Sequence, residues 1–376
     1  MKNKILIIFG TRPEAIKMSP LVKEFKKNSD KFETRVCITA QHREMLDQVL
    51  DFFEIVPDYD LDLMKPNQNL YSLTSEIISS LKPVLENFQP DFIFVHGDTT
   101  TAMASSISGF YSGAKVCHIE AGLRTFNMKF PFPEEMNRSV IGVIANIHFA
   151  PTLISKENLL RENKKKEDII VTGNTVIDAL LFSVEKVNSN FRNSEIEYLK
   201  TYTDTNKRII LVTGHRRENH GKGFVNICKA IREIASKNED CIILFPVHLN
   251  PIVQKPVFEF LKDIENVKLL DPLSYPAFVW LMEKSFLIIT DSGGVQEEAP
   301  SLGKPVLVMR DSTERPEALE AGTVILVGAN TRRIVDESNI LLNDSNKYKF
   351  MSTLHNPYGD GSASQKIVNH ILSISE

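Results

Sequence analysis

The chain contains no apolar run approaching the ~20 residues that would cross a bilayer. Its opening run, Ile5 to Phe9, is too short for the core of a secretory signal and reads as a first strand. Cysteine is scarce, with 4 in 376 residues (Cys37, Cys117, Cys228 and Cys241), and none has CxxC or Cys/His ligand spacing. A disulfide framework and a dedicated zinc site are therefore excluded, and buried reduced thiols in a cytoplasmic protein are expected. There is no basic excess either: 44 Lys and Arg face 48 Asp and Glu, a formal net charge of -4. That balance argues against non-specific nucleic-acid binding. Tandem repeats, low-complexity tracts and coiled-coil heptads are also missing.

What is present is an alternation. Short apolar runs recur at Ile5–Phe9, Thr34–Thr39, Phe92–Val95, Lys115–Ile119, Ile147–Ala150 and Asp168–Val171. A second set follows at Arg208–Val212, Cys241–Val247, Val267–Leu270, Phe286–Ile289, Val306–Met309 and Val324–Val327. Helical segments separate them. Continuous apolar runs spaced by helices predict parallel sheets covered on both faces. The fold class is α/β, with two doubly wound Rossmann-like domains facing a central cleft. At roughly 100–200 residues per domain, the boundaries expected are 1–172, joined by the C-terminal helix 363–376, and 173–362. The polar stretch Val187 to Lys207 reads as a solvated helix and loop.

In such sheets ligands meet the carboxyl ends of the strands, so the residues after each strand carry the functional signal. Gly10-Thr-Arg-Pro-Glu-Ala-Ile-Lys17 follows the first strand. Thr11 and Glu14 form a capping box with Pro13 in the first turn. Capping does not account for Arg12 and Lys17, and a phosphate or carboxylate contact is favoured for Arg12. Asp98, after the third strand, is an N-cap candidate. Glu120 ends the fourth strand and is followed by Gly122 and Arg124, which packing explains poorly. Glu134 and Arg138 stand four apart at the start of a helix, where an ordinary surface pair would contribute ~0.3–0.5 kcal/mol. Together Asp98, Glu120 and Glu134 converge on one sheet edge. Crowded carboxylates repel, so at least one should hold a proton near neutral pH. Such a cluster suits proton removal from carbon and proton donation to a leaving oxygen; a metal site is the rival reading, though the ligand spacing is absent.

The second half offers His215, Arg216 and Arg217 after its first strand and His248 after its second. His215 and Arg216 suit a diphosphate. Phe278 can stack on a base or simply face the core. Ile288 to Met309 reads as strand, turn, helix from about Val295, strand, with Ser292-Gly293-Gly294 in the turn. Two glycines let backbone N–H groups approach a phosphate at a helix start. Glu297 and Glu298 are placed in the first turn, where carboxylates also accept from sugar hydroxyls. The glycines alone are equally consistent with an ordinary capped helix; the acids and the downstream Arg315-Pro-Glu favour binding.

These motifs, in this order, resemble the non-hydrolysing UDP-N-acetylglucosamine 2-epimerases. GTRPEAIKMSPL, TAQHREMLDQVL, HGDTTT, EAGLRT, PEEMNR, TGNTVIDAL, TGHRRE, PVHLNP, DSGGVQEEAPSLGKPVLVMR and TERPEA carry the resemblance over nearly the whole chain. It implies a GT-B-like fold, a homodimer, and interconversion of UDP-GlcNAc and UDP-ManNAc for surface polysaccharide without NAD or metal. It further implies Asp98, Glu120, Glu134 and His215 as catalytic residues. The UDP-sugar would be held by Arg12, Lys17, Arg138, Arg216, Phe278, Ser292, Gly293, Gly294, Glu298 and Arg315. Gln41, His42, Arg43 and His248 match motifs of an activator site for a second UDP-GlcNAc. Lys65 to Asn69 lacks an Arg that activated relatives carry. Phe126 to Phe132 departs from the common Gly-Asp and Tyr-Ser-Pro-Trp pattern beside Glu134, which leaves substrate preference open. The alternatives are a hydrolysing relative that releases ManNAc and UDP, a GT-B glycosyltransferase, and a non-catalytic UDP-sugar sensor. No basic-apolar patch for a membrane-borne acceptor supports the transferase.

Overall fold

A computed structural model describes residues 2–39, 43–63, 65, 68–189, 191–203, 206–313 and 315–375, with the side chains of 43–45 outside that set. Gln41, His42 and the side chain of Arg43, read as activator contacts, lie outside the described residues. The chain forms two compact units, residues 1–181 with 358–376, and residues 182–357. The helix Thr175–Asn188 carries the first unit past the seam expected near residue 173.

The first unit holds a parallel sheet of β1 (Asn3–Phe9), β2 (Phe32–Ile38), β3 (Tyr59–Asp60), β4 (Phe92–His96), β5 (Lys115–Ile119), β6 (Ile147–Ala150) and β7 (Ile169–Val171), in the order β3-β2-β1-β4-β5-β6-β7. The second holds β8 (Arg208–Thr213), β9 (Cys241–Pro246), β10 (Val267–Leu270), β11 (Leu287–Thr290), β12 (Val306–Val308) and β13 (Val324–Leu326), in the order β10-β9-β8-β11-β12-β13. Both are doubly wound, as the GT-B-like class requires. Each apolar run read from the sequence is a strand. The two-residue β3, paired as Cys37↔Tyr59 and Ile38↔Asp60, is too short to leave a run of its own.

Central strands are buried on both faces because helices cover both. Ile5 to Phe9 and Ile210 to Val212 are fully buried. In each sheet the winding reverses direction between the first and fourth strands, β1 and β4 in one, β8 and β11 in the other. Helices leave this seam toward opposite faces, so the loops after those strands border a crevice.

The last helix, Ala363–Ser373, is anchored in the first unit. The Asp178 carboxylate accepts from the Ala363 and Ser364 N–H groups at 3.2 and 2.7 Å, and His370 meets Phe149 edge-on at 5.8 Å between ring centres. Within Val187 to Lys207, the helix Ser194–Thr203 buries Ile196 and Leu199. It is a packed element rather than a wholly solvated one, because those two residues share one face. Among the described residues no helix is long and apolar enough to cross a membrane.

The turn after β5 is tightly constrained. Glu120 has φ 62 and Gly122 has φ 91, both left-handed. A Cβ at Gly122 would stand 2.2 Å from the Ser155 carbonyl oxygen. Gly122→Ala is expected to cost about 2 kcal/mol or more in urea unfolding, from backbone strain plus that clash. At Gly113, also left-handed but with nothing within 4 Å, the same change should cost about 1 kcal/mol.

Candidate active site

The first unit gathers its candidate side chains at the carboxyl ends of β1, β4 and β5. Thr11 caps the helix Arg12–Lys27 and Glu14 completes the box. The Glu14 carboxylate accepts from the Gly10 and Thr11 N–H groups (3.1 and 2.8 Å) and from the Thr99 hydroxyl (2.6 Å). Burial raises the Glu14 pKa, and those hydrogen bonds oppose the rise. Glu14 therefore ties the loops after β1 and β4 together.

Glu120 follows β5 at a positive φ, and its carboxylate lies beside His96 at the end of β4. One oxygen, Oε2, takes the Lys17 ammonium and the Asn174 amide, the latter at 2.8 Å. His96 Nε2 lies 3.8 Å away from that same oxygen. His96 is fully buried, and burial lowers its pKa to about 4 despite Glu120 nearby, so it is neutral. His118, one strand over, hydrogen-bonds the Gly97 carbonyl at 2.7 Å through Nε2. Burial holds its pKa down at about 3, so this nitrogen carries the proton and donates it. That bond pins the left-handed Gly97 (φ 65) and with it Asp98.

Asp98 is held twice by the helix Glu134–Ile144. The Arg138 guanidinium pairs with its carboxylate, and Asn137 Nδ2 donates to its carbonyl at 2.8 Å. Burial raises the Asp98 pKa; Arg138 opposes this, while the Glu120 and Glu134 charges add to it. The expected crowding of the three acids is thus present, with burial as its larger partner. Glu134 is half-buried, and its side chain makes no hydrogen bond among the described residues.

Several local readings are corrected by these contacts. Thr99, not Asp98, caps the helix Thr100–Ser112, accepting from the Ala102 N–H at 3.0 Å. Asp98 is one residue too early, and its carboxylate is taken by Arg138. Arg138 pairs with Asp98 and with Glu135 (3.2 Å) rather than with Glu134. Lys17 lies on Glu120. Arg12, the first residue of its helix, is half-buried.

In the second unit the organiser is Asp291, fully buried after β11. Its carboxylate accepts from the His215 N–H (3.0 Å), the Arg216 N–H (2.9 Å) and Asn219 Nδ2 (3.3 Å). The turn after β8 is thereby fastened to the turn after β11. The His215 ring is 44% exposed and stacks on His248, 5.6 Å between centres and 19° apart. Burial lowers the His215 pKa, Asp291 opposes, and Arg216 and His248 contribute further lowering. Arg216 Nε is buried without a hydrogen-bond partner, a donor that an anion would satisfy.

Ser292 precedes the helix Gly293–Glu298 without a side-chain cap. The helix begins two residues before the expected start, so Glu297 and Glu298 lie at its far end rather than in its first turn, and both are buried. Glu297 pairs with Arg315 Nε at 2.9 Å. A Cβ at Gly293 would stand 3.0 Å from the Arg315 guanidinium carbon, so the missing side chain is what admits that arginine. Phe278 is half-buried in the helix Tyr275–Lys284. Sequence reasoning missed Asp291, Asn174, Asn137 and His96 as parts of this architecture. Only the position of Asp291 and His96 at strand ends could have signalled them. Among the described residues no group of three or more His, Cys, Asp or Glu is arranged to hold a metal.

The family model described as UDP-N-acetylglucosamine 2-epimerase matches residues 23–372. The chain belongs to the UDP-N-acetylglucosamine 2-epimerase family. The 2-epimerase of Campylobacter jejuni is 55% identical over 377 residues, covering 99% of this chain and 98% of that protein. That of Escherichia coli K12 is 56% identical over 366 residues, covering 97% of each. Among solved structures, the Neisseria meningitidis UDP-GlcNAc 2-epimerase bound to UDP-GlcNAc matches with a TM-score of 0.88 at 52% identity, covering 98% of this chain and 100% of that one. The Methanocaldococcus jannaschii 2-epimerase in complex with UDP-GlcNAc and UDP matches with 0.79 at 33%, covering 98% and 99%.

Proposed function

We propose that this member of the family interconverts UDP-GlcNAc and UDP-ManNAc without net hydrolysis, as a cytoplasmic homodimer supplying ManNAc units for surface polysaccharide. The observation that carries the reading is the trio of Asp98, Glu120 and Glu134, with Asp98 biased toward its protonated form. A carboxylate takes the proton from sugar C2. The C2–H electron pair becomes the C1–C2 double bond of 2-acetamidoglucal, and the C1–O bond breaks with its electrons on the departing UDP. Re-addition of UDP to C1, with a proton delivered to the opposite face of C2, completes inversion. Acid and base differ in which form they must start from, and unequal burial of neighbouring carboxylates provides that difference.

The leaving diphosphate gains charge, so preorganised donors stabilise it. Arg216, with its unsatisfied Nε, Arg315 beside the bare Gly293, Ser292, Gly294 and His215 take that role, and Arg12 is proposed as a phosphate contact. Glu298 takes the ribose hydroxyls and Phe278 lies against uracil. Lys17 and Arg138 act on Glu120 and Asp98 instead of on phosphate. A second UDP-GlcNAc as activator, at Gln41, His42, Arg43 and His248, belongs to the same reading, and the relative solved with both UDP-GlcNAc and UDP supports it.

The test is incubation with UDP-GlcNAc in D2O, followed at C2 by NMR. UDP-ManNAc with deuterium at C2 in both epimers is expected. Free ManNAc and UDP as lasting products would move the chain to the hydrolysing branch. An unchanged spectrum at high substrate would overturn epimerisation altogether.

A further inference from the structure

Behind Asp98 lies a buried carboxylate that the chemistry above does not use. Glu135, adjacent to Glu134 on the same helix, is 1% exposed. Its carboxylate accepts from the Phe126 N–H through Oε1 at 2.9 Å and from the Thr125 N–H through Oε2 at 3.0 Å. The same Oε2 takes Arg138 Nη1 at 3.2 Å, and the other arm of that guanidinium, Nη2, holds the Asp98 carboxylate. Thr125 and Phe126 begin the segment in which Phe126, Met128, Phe130 and Phe132 are all more than half exposed. The segment also folds on itself, through the Thr125 hydroxyl on the Phe130 carbonyl and the Phe130 N–H on the Asn127 carbonyl.

A backbone turn, a buried acid, a buried arginine and a reacting carboxylate thus form one continuous line. A structural ion pair alone would not need Arg138 shared between two acids. Sharing leaves the arginine's charge divided, which limits how far it can favour ionised Asp98. We propose that Glu135 is a positioning residue for the reaction, fixing Arg138 so that it aims and moderates Asp98 and coupling that aim to the aromatic 126–132 loop. This rests on the reading above, in which Asp98 takes part in proton transfer. It makes the loop a place where substrate contact is felt at the carboxylate.

Charged and titratable groups surround Asp98 from each element packed on it. Arg138, Glu134 and Glu135 come from the helix Glu134–Ile144. Glu120 comes from the turn after β5, with Lys17 and His96 upon it. Glu14 reaches Thr99 next door. Among these, Glu135 and Arg138 act on Asp98 with opposite sign through one guanidinium, so removing each should move the Asp98 titration in opposite directions.

The experiment is kcat and KM against pH for the full-length wild type, Glu135→Gln and Arg138→Gln, with urea unfolding of each. Glu135→Gln is expected to lower kcat about 10- to 100-fold, the scale of a misplaced catalytic group, with KM within about threefold. Its Asp98 limb should move to lower pH by about half a unit, since Arg138 then serves one acid only. Arg138→Gln should move the limb to higher pH. Activity lost only in proportion to folded protein, with both limbs unmoved, would overturn the proposal, as would a Glu135→Gln enzyme within about twofold of wild type. Should Glu135→Gln fail to fold, Glu135→Asp, too short to span both amides and Arg138, is expected to show the same kcat loss, and wild-type kcat there overturns the idea. An inactive wild type would sink the epimerase reading and this one with it, whereas an active wild type with unmoved variants sinks only the positioning role.

Discussion

Glu120→Gln is expected to lower kcat by about two to four orders of magnitude, the range that a positioned acid or base contributes, while the protein still folds. The substitution keeps the shape and can still accept from Asn174 and Lys17, but it can neither take nor give a proton. Some stability should be lost, about 1–3 kcal/mol, because the half-buried Lys17 loses the charge of Glu120. The backbone constraint at φ 62 is the same for both residues and drops out of the comparison. Initial rates of UDP-ManNAc formation, set beside urea unfolding, separate the two effects. A fall of less than about tenfold would remove Glu120 from the proton chemistry and leave it a holder of Lys17.

The second large effect is in the other unit. Asp291→Ala should cost about 3 kcal/mol or more, because the two N–H groups and the Asn219 amide lose a buried acceptor together. UDP affinity should fall at least about tenfold, since the turn carrying His215 and Arg216 is no longer fastened to the turn carrying Ser292 and Gly293. Calorimetric titration with UDP at a temperature where the variant remains folded makes the measurement. Undiminished UDP affinity would show that these turns do not seat the nucleotide.

Much of this architecture was legible because strand-forming runs and caps are local. Thr11 and Glu14 form the capping box that their spacing predicts, and all twelve apolar runs lie in strands because burial on both faces demands continuous apolarity. Asp98 was misread as a cap for a physical reason. Asp is a good cap in isolation, but the left-handed Gly97 places Thr99 at the helix entrance. Arg138 illustrates the other limit: helical spacing offers it Glu134 and Glu135, of which it takes Glu135, whereas its other partner Asp98 is 40 residues away in sequence. Glu297 was misplaced because Ser292-Gly293-Gly294 was read as a turn preceding the helix, whereas Gly293 already begins it. Asp291 gave no signal beyond ending a strand, since its three donors arrive from a loop 72 to 76 residues earlier. Contacts of that kind are products of topology, not of spacing.

The four cysteines are all free and buried, Cys37 and Cys117 in the first unit, Cys228 and Cys241 in the second. Burial pushes the thiols up, to about 12 at Cys228 and about 11 at Cys241, and further at the other two. The thiolate is the nucleophile that attacks an alkylating reagent, so the native protein offers such reagents almost nothing. Alkylation therefore becomes a clock for opening. Peptide-resolved labelling of Cys37 and Cys117 against Cys228 and Cys241 would time the two halves independently, with no engineered probe.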